Sequence, residues 1–120
     1  MVSNFNFDHI NITVGEDNKA LAFFRDVLGF NKGYRPPFPF AGEWFYSGKQ
    51  AMIHAITPNT ANGRMDFGHV AFRGEEDAEA VIERIKSLNL NYRLTTVPES
   101  GEKQIFVDLD GLMVEIITPS

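Results

Sequence analysis

The feature that most constrains this sequence is an internal repeat. The segment DHINITV is followed by an amphipathic helical pattern, and GHVAFRG further along is followed by a second one. His9 and His69 are 60 residues apart, and His54 and Glu115 are 61 residues apart, so polar residues of one half fall on equivalent places in the other. Self-similarity at a fixed offset indicates two copies of one supersecondary unit.

Hydrophobic periodicity predicts a strand, a helix and three further strands in the first half. Asp17 is a candidate N-cap and Gly29 a candidate helix stop, and the Gly48-Lys49 pair suits a hairpin turn. The predicted elements are a strand Phe7 to Val14, a helix Asp17 to Leu28, a strand Phe30 to Tyr34, a proline-rich aromatic loop Arg35 to Gly42, and strands Glu43 to Ser47 and Gln50 to Thr57.

The second half shows the same order of patterns. The Asp110-Gly111 pair is a strong hairpin signal before the last strand. The predicted elements are a strand Phe67 to Arg73, a helix Glu76 to Leu88, and strands Asn91 to Val97, Lys103 to Asp108 and Leu112 to Thr118. We therefore expect an α+β chain of two βαβββ modules.

Length and composition favour a single domain, because 120 residues with 43% hydrophobic side chains suffice for one core. Its parts are module 1–58, linker 59–65 and module 66–120. The net charge of −5, with basic residues scattered along the chain, argues against nucleic-acid and membrane-surface roles. There is no signal-like start and no apolar run of membrane-spanning length, so we expect a cytoplasmic protein.

The polar residues related by the repeat are candidate metal ligands. The chain has no cysteine, so a metal site must use nitrogen and oxygen donors. All three histidines, His9, His54 and His69, lie on predicted strands, and Glu115 emerges from an otherwise apolar strand face. A lone strand histidine is more often a hydrogen-bonded or surface residue, but the repeat favours a shared site. A divalent cation would also offset the cost of burying the carboxylate. Zn, Ni, Co, Mn and Fe(II) all suit this donor set.

Other side chains are candidates for substrate contacts. Phe38, Phe40, Trp44 and Tyr46 lie in or beside the proline-rich loop and are able to line a pocket, although aromatic residues there often only pack. Candidate groups for binding anions or oxygen atoms, each with a solvated surface role as the alternative, are Arg35, Arg64, Arg73, Tyr92 and Lys103. The substrate-binding set that we select is Arg35, Trp44, Tyr46 and Lys103.

Four segments together carry a family resemblance. DHINITV, FFRDVLGF, GHVAF and DLDGLMVEIITP span the chain, and the last resembles a family ending in which proline is common at the place of Leu109. The chain resembles the vicinal oxygen chelate superfamily, which includes glyoxalase I, methylmalonyl-CoA epimerase, extradiol dioxygenases and bleomycin-resistance proteins. The resemblance implies paired βαβββ modules that form an open, cup-shaped mixed sheet around a metal. On that pattern the four ligand positions are filled by His9, His54, His69 and Glu115.

The resemblance also implies a range of functions. Four filled ligand positions favour a lyase or isomerase of glyoxalase type. Such an enzyme acts on a small substrate with neighbouring oxygens through an enediolate-type intermediate. The resemblance implies that Glu115 is the base. His54 stands where glyoxalase I provides a glutamate, which weakens assignment to that enzyme itself. The alternatives are an Fe(II) extradiol-type dioxygenase, a thiol transferase, and a protein that sequesters a small molecule such as an antibiotic. We expect a homodimer and leave open whether its modules are exchanged between chains.

Overall fold

A computed structural model describes residues 3–14, 19–57 and 66–120. The predicted cap Asp17, the candidate Arg64 and the predicted linker 59–65 lie outside the described residues. Neither of the helices in the described ranges is long and apolar enough to span a membrane.

Each half of the chain contains a strand, a helix and three strands in that order. The elements are β1 Phe5–Thr13, α1 Lys19–Asp26, β2 Asn31–Gly33, β3 Gly42–Ser47, β4 Gln50–Ile56, β5 Asp66–Gly74, α2 Ala78–Ser87, β6 Tyr92–Thr96, β7 Lys103–Leu109 and β8 Leu112–Thr118. The α+β class and the two βαβββ modules are thereby confirmed. Helix α2 is shorter than its predicted range Glu76 to Leu88, and at its C-terminal end Asn89 has a left-handed φ of 58° that stops the helix.

The chain divides into two compact units whose bounds differ from the predicted modules. The His54 unit is His9–Gly68, and the Glu115 unit is the chain up to Asp8 together with His69–Ser120. The strand order is β2-β3-β4-β1 in the His54 unit and β5-β8-β7-β6 in the Glu115 unit. β1 runs parallel to β4, and β5 runs parallel to β8, while the other pairs are antiparallel, so each unit has a mixed sheet.

The core of the His54 unit lies between α1 and one face of its sheet. The buried residues of this core are Ile12, Val14, Leu21, Phe45, Ile53 and Ala55. The opposite face of β1 is buried as well and carries His9 and Asn11. A Cβ atom on Gly68 would lie 2.3 Å from Asn11 Oδ1, so only glycine fits beside that amide without displacing it. Near Ile12, both faces of β1 are therefore buried, and one of them is apolar while the other carries polar side chains.

The core of the Glu115 unit lies between α2 and the sheet, and its fully buried members are Val81, Ile85, Ile105 and Val107. Phe5 packs against this core, and its ring lies where a Cβ of Gly74 would be 2.3 Å away. Arg73 Nε donates to Asp8 Oδ1 at 2.9 Å. These contacts explain why the residues up to Asp8 belong to this unit and not to the first module.

A tight hairpin joins β7 and β8. Asp110 and Gly111 have φ of 55° and 104°, and Asp108 Oδ1 accepts a hydrogen bond of 2.8 Å from the Gly111 amide. Positive φ at both central residues suits the twist of the two strands, so the predicted turn is confirmed. The register that follows sets Glu115 opposite Phe106.

Candidate metal centre

Glu115 and His69 lie on one face of the Glu115 unit. Because β5 and β8 are parallel, with Ala71 beside Glu115, His69 two residues earlier shares that face. His69 Nε2 lies 2.8 Å from Glu115 Oε1, and the two side chains are only 13% and 2% exposed. The structure thus brings these two predicted ligands together in a place that water barely reaches.

Two further residues join this carboxylate in a hydrogen-bonded chain, and sequence reasoning missed both. Gln104 Nε2 donates to Glu115 Oε2 at 3.0 Å, and Thr95 Oγ1 donates to Gln104 Oε1 at 2.9 Å. Gln104 pairs with Thr95 across β6 and β7, and Phe106, two residues further along β7, is the partner of Glu115. Alternation along β7, in which Ile105 and Val107 face the core, was the signal that could have found Gln104.

The donor set of this pair fits a divalent metal. Two ligand atoms at about 2.1 Å from one cation, on bonds at a right angle, are about 3 Å apart. The 2.8 Å between His69 Nε2 and Glu115 Oε1 is close to that spacing. A buried carboxylate beside an imidazole is also a donor combination that Zn, Co, Ni, Mn and Fe(II) accept.

His9 and His54 form the equivalent pair in the His54 unit. His54 on β4 is beside Asn11 of β1, so it shares the face that carries His9. The two imidazole rings stack with centroids 3.4 Å apart, and both side chains are buried. Trp44 stacks on His54 as well, at 3.6 Å. The neutral imidazole is the form that ligates metals.

The aromatic loop supplies the other predicted groups of this unit. The guanidinium of Arg35 lies over the rings of Phe38 and Phe40, 5.2 and 5.1 Å from their centroids, and donates to the Phe40 carbonyl. Burial lowers the pKa of Arg35. The ring centroid of Phe38 is 6.2 Å from that of Trp44. The Arg35 cluster is therefore next to the rings that stack on His54.

Tyr46 lies on the same strand as Trp44, two residues further along. Its hydroxyl donates to the Tyr34 carbonyl, and burial raises the pKa of that hydroxyl. Tyr46 is thus held by the backbone of the preceding segment, whereas Trp44 contacts a predicted ligand directly.

The structure also describes three further candidates for binding anions or oxygen atoms, which are Lys103, Tyr92 and Arg73. Lys103 and Tyr92 share a strand face with the core residues of β7, so they lie on the opposite face of the sheet from Glu115. Arg73 is held by Asp8 and Glu102; burial opposes its charge, but these two hydrogen bonds outweigh it and raise the pKa of Arg73. Substrate binding by Lys103 stays a prediction, although its side chain is not on the Glu115 face, and Arg73 forms ion pairs with Asp8 and Glu102.

Arg93 is a cation on the Glu115 face that sequence reasoning overlooked. It is next to Tyr92 on β6, so the two side chains point to opposite faces. Its guanidinium lies 4.5 Å from the centroid of Phe106, which in turn meets His69 edge-on at 5.4 Å.

Comparison with known proteins assigns the chain to a family. The family model described as Glyoxalase/Bleomycin resistance protein/Dioxygenase superfamily matches residues 6–116. The chain belongs to this superfamily. A similar curated protein, 29% identical over 97% of this chain and 92% of its own length, is the probable lactoylglutathione lyase of Vibrio parahaemolyticus serotype O3:K6 (strain RIMD 2210633).

Solved structures resemble this member of the superfamily over nearly its whole length. Methylmalonyl-CoA epimerase from Mycobacterium tuberculosis superposes with a TM-score of 0.73 and 16% identity, over 100% of this chain and 92% of that one. A hypothetical protein from Bacillus halodurans C-125 has a TM-score of 0.77 and 15% identity, over 98% and 96%. At such low identity these likenesses show the fold alone, and they confirm the predicted glyoxalase-like fold.

Proposed function

We propose that this chain is a metal-dependent lyase or isomerase of the glyoxalase type, which acts on a small substrate with two neighbouring oxygens. The observation that carries the proposal is the pair formed by His69 and Glu115, a nearly inaccessible carboxylate 2.8 Å from an imidazole nitrogen. An ionised carboxylate in such a place is stabilised by a compensating charge, and a divalent cation held by His69 and Glu115 would supply it.

The proposed ligands are His69 and Glu115 together with His9 and His54. The second pair is assigned on its equivalence in the repeat, on the family pattern and on its own buried stack. When bound, Zn, Ni, Co, Mn or Fe(II) supplies a Lewis acid that stabilises negative charge on substrate oxygens. Three imidazoles and one carboxylate leave room for substrate oxygens only on a five- or six-coordinate metal.

The chain's own residues would move the proton. In the proposed reaction the Glu115 carboxylate removes a proton from the substrate carbon next to a carbonyl, which leaves an enediolate-type anion. It then returns that proton to a neighbouring atom. The ring of Trp44 offers an apolar wall beside His54, and Arg35 is a candidate partner for an anionic group of the substrate.

The names of the relatives support proton-transfer chemistry. One relative is named a lactoylglutathione lyase, and one of the similar structures is a methylmalonyl-CoA epimerase. Lactoylglutathione and methylmalonyl-CoA, the compounds in these two names, are therefore the first substrates to test. Incorporation of deuterium from solvent into either compound would report proton removal without knowledge of the natural substrate.

Metal analysis of single variants tests the proposal. We expect His9→Ala, His54→Ala, His69→Ala and Glu115→Gln each to lower the bound metal per chain at least tenfold in dilute metal buffer, while the folded state persists. Lys103→Ala is the matched control, because Lys103 lies on the other sheet face, and it should bind like the wild type. Glu115→Gln keeps an oxygen donor but cannot accept the proton, so deuterium exchange should fall further than metal content.

Other outcomes would redirect the assignment. Metal loss in every variant except His54→Ala would favour a three-ligand dioxygenase or transferase of the superfamily. A wild-type protein that binds no divalent metal on titration would overturn the proposal. That result would favour a binding protein of the superfamily that sequesters a small molecule.

A further inference from the structure

We infer that Gln104 and Thr95 are positioning residues that decide which oxygen of Glu115 meets the metal. The inference rests on the proposed function, because it assigns Glu115 as a ligand. It concerns a hydrogen-bonded chain that runs across three strands of the Glu115 unit, from Thr95 on β6 through Gln104 on β7 to Glu115 on β8.

The first step is that the two carboxylate oxygens have different partners. Oε1 lies 2.8 Å from His69 Nε2, and Oε2 accepts from Gln104 Nε2 at 3.0 Å. A carboxylate can rotate about its last bond, and its two oxygens are chemically identical when it is free. The amide of Gln104 removes that equivalence, because it engages the oxygen that does not contact His69.

The second step is that the orientation of the Gln104 amide is determined by its neighbours. An ionised carboxylate only accepts hydrogen bonds, so Gln104 must present its NH₂ group to Glu115. Its carbonyl oxygen then needs a donor, and the Thr95 hydroxyl lies 2.9 Å from it. Without that hydroxyl the Gln104 carbonyl oxygen would lose this hydrogen bond, and the amide would be held at Glu115 less firmly.

The third step concerns the metal. With Oε2 engaged by Gln104, Oε1 is the atom left for a cation next to His69. Glu115 would then bind through one oxygen, with the carboxylate already oriented before the metal arrives. Hydrogen-bond partners of this kind typically change metal affinity by about 10–100-fold when they are removed. Gln104 and Thr95 therefore tune the centre without touching the cation.

The test measures Co²⁺ affinity by competition with a chelating dye, and the visible absorption of bound Co²⁺, in the full-length protein. Gln104→Met keeps the length of the side chain but removes the donor, and Thr95→Val keeps its shape but removes the hydroxyl. Thr95→Ser restores a hydroxyl on a smaller residue. Thr96→Val is the matched control, because Thr96 makes the same change at the next, exposed position of β6, on the other sheet face.

We expect Co²⁺ affinity to fall about 10–100-fold in Gln104→Met and about 3–10-fold in Thr95→Val, each with an altered absorption band. Thr95→Ser and Thr96→Val should match the wild type. A merely structural role would instead lower the melting temperature of the metal-free protein and leave the band of the loaded protein unchanged. Wild-type affinity and absorption in both Gln104→Met and Thr95→Val would overturn this inference and leave the proposed function standing. A wild-type protein that binds no Co²⁺ would overturn both.

Discussion

At the scale of single residues, Glu115 accounts for much of the polar structure of its unit. Its carboxylate is buried, His69 and Gln104 contact its two oxygens, and Thr95 in turn donates a hydrogen bond to Gln104. Burying a charged group without such partners would cost several kcal/mol. The desolvation cost of burying this carboxylate is consistent with the proposed role of Glu115 as a metal ligand and base.

Proton competition gives a prediction at this scale. Imidazoles must be neutral to bind a metal, so protons displace the metal as the pH falls below about 6.5, the reference pKa of a free histidine. With metal at about 100 times its dissociation constant, we expect the wild type to gain about 2.7 kcal/mol of stability at pH 7.5. The gain should disappear at pH 5.

Thermal unfolding with and without metal at the two pH values measures this difference. The His69→Ala variant is the control, and it should show little gain at either pH. An equal gain for the wild type at pH 7.5 and pH 5 would contradict ligation by imidazoles.

Residue chemistry and the repeat were enough to select four candidate ligands, and the structure brings His69 close to Glu115 in one unit and stacks His9 on His54 in the other. His9, His54, His69 and Glu115 could be selected because they are polar, repeat-related and on strands. Gln104 and Thr95 were not selected, because a neutral polar side chain on a strand does not by itself indicate a functional site. Their importance follows only from their contacts in the folded chain.

At the scale of elements, the register of strands decides what each side chain faces. Glu115 was placed correctly because alternation was followed along β8. Lys103 and Tyr92 were chosen on residue type alone, and the buried Ile105 and Val107 show that their face of the sheet packs against α2. The neighbouring residues Gln104 and Arg93 face Glu115 instead, so a shift of one residue exchanges the surface that each side chain occupies.

The β7–β8 hairpin gives a prediction at this scale. Gly111 has φ of 104°, and no atom lies within 4 Å of the position that a Cβ would take there, so Gly111→Ala strains the backbone without a clash. We expect a loss of about 1–2 kcal/mol in the free energy of unfolding.

Urea unfolding of the variants would measure this loss. Asp110→Gly is the opposite change, because Asp110 already has a left-handed φ of 55°, and it should cost much less. Equal losses in both variants would show that the turn geometry is not what the hairpin depends on.

At the scale of the whole molecule, the order of elements in each half was predictable, whereas the division between units was not. The repeat placed the boundary between modules in the segment that follows β4. The compact units instead divide at Asp8 and at Gly68, within β1 and within β5. Strand pairing and the contacts of Phe5 cause this difference, and neither is visible in a linear repeat.

Assembly gives the prediction at this scale. Among the described strands, β2 and β6 are the outer strands of their units and each has one edge without a strand partner there. Phe23, Val27 and Leu28 at α1 are exposed apolar residues. We expect a homodimer at micromolar concentration, measured by sedimentation equilibrium. A monomer under these conditions would contradict the prediction.

Mixing two inactive variants tests whether modules are exchanged in that dimer. If ligands come from two chains, a heterodimer of His9→Ala and Glu115→Gln contains one centre with all four ligands, and metal binding returns to part of the wild-type level. If each centre is formed by one chain, the mixture stays as deficient as its components. The co-expressed pair of His9→Ala and His54→Ala is the control, because it should not recover in either case.

The early part of β1 has a consequence for any attempt to separate the halves. Phe5 fills the space beside Gly74, and Asp8 holds Arg73, so the second copy of the repeat is completed by residues from the start of the first. A fragment that begins after the predicted linker would lack these residues and expose the surface that they cover. We therefore expect that the second copy of the repeat does not fold as a separate protein. The first part of β1 thus supplies part of the packing of the Glu115 unit, although that unit is otherwise made of the second half of the chain.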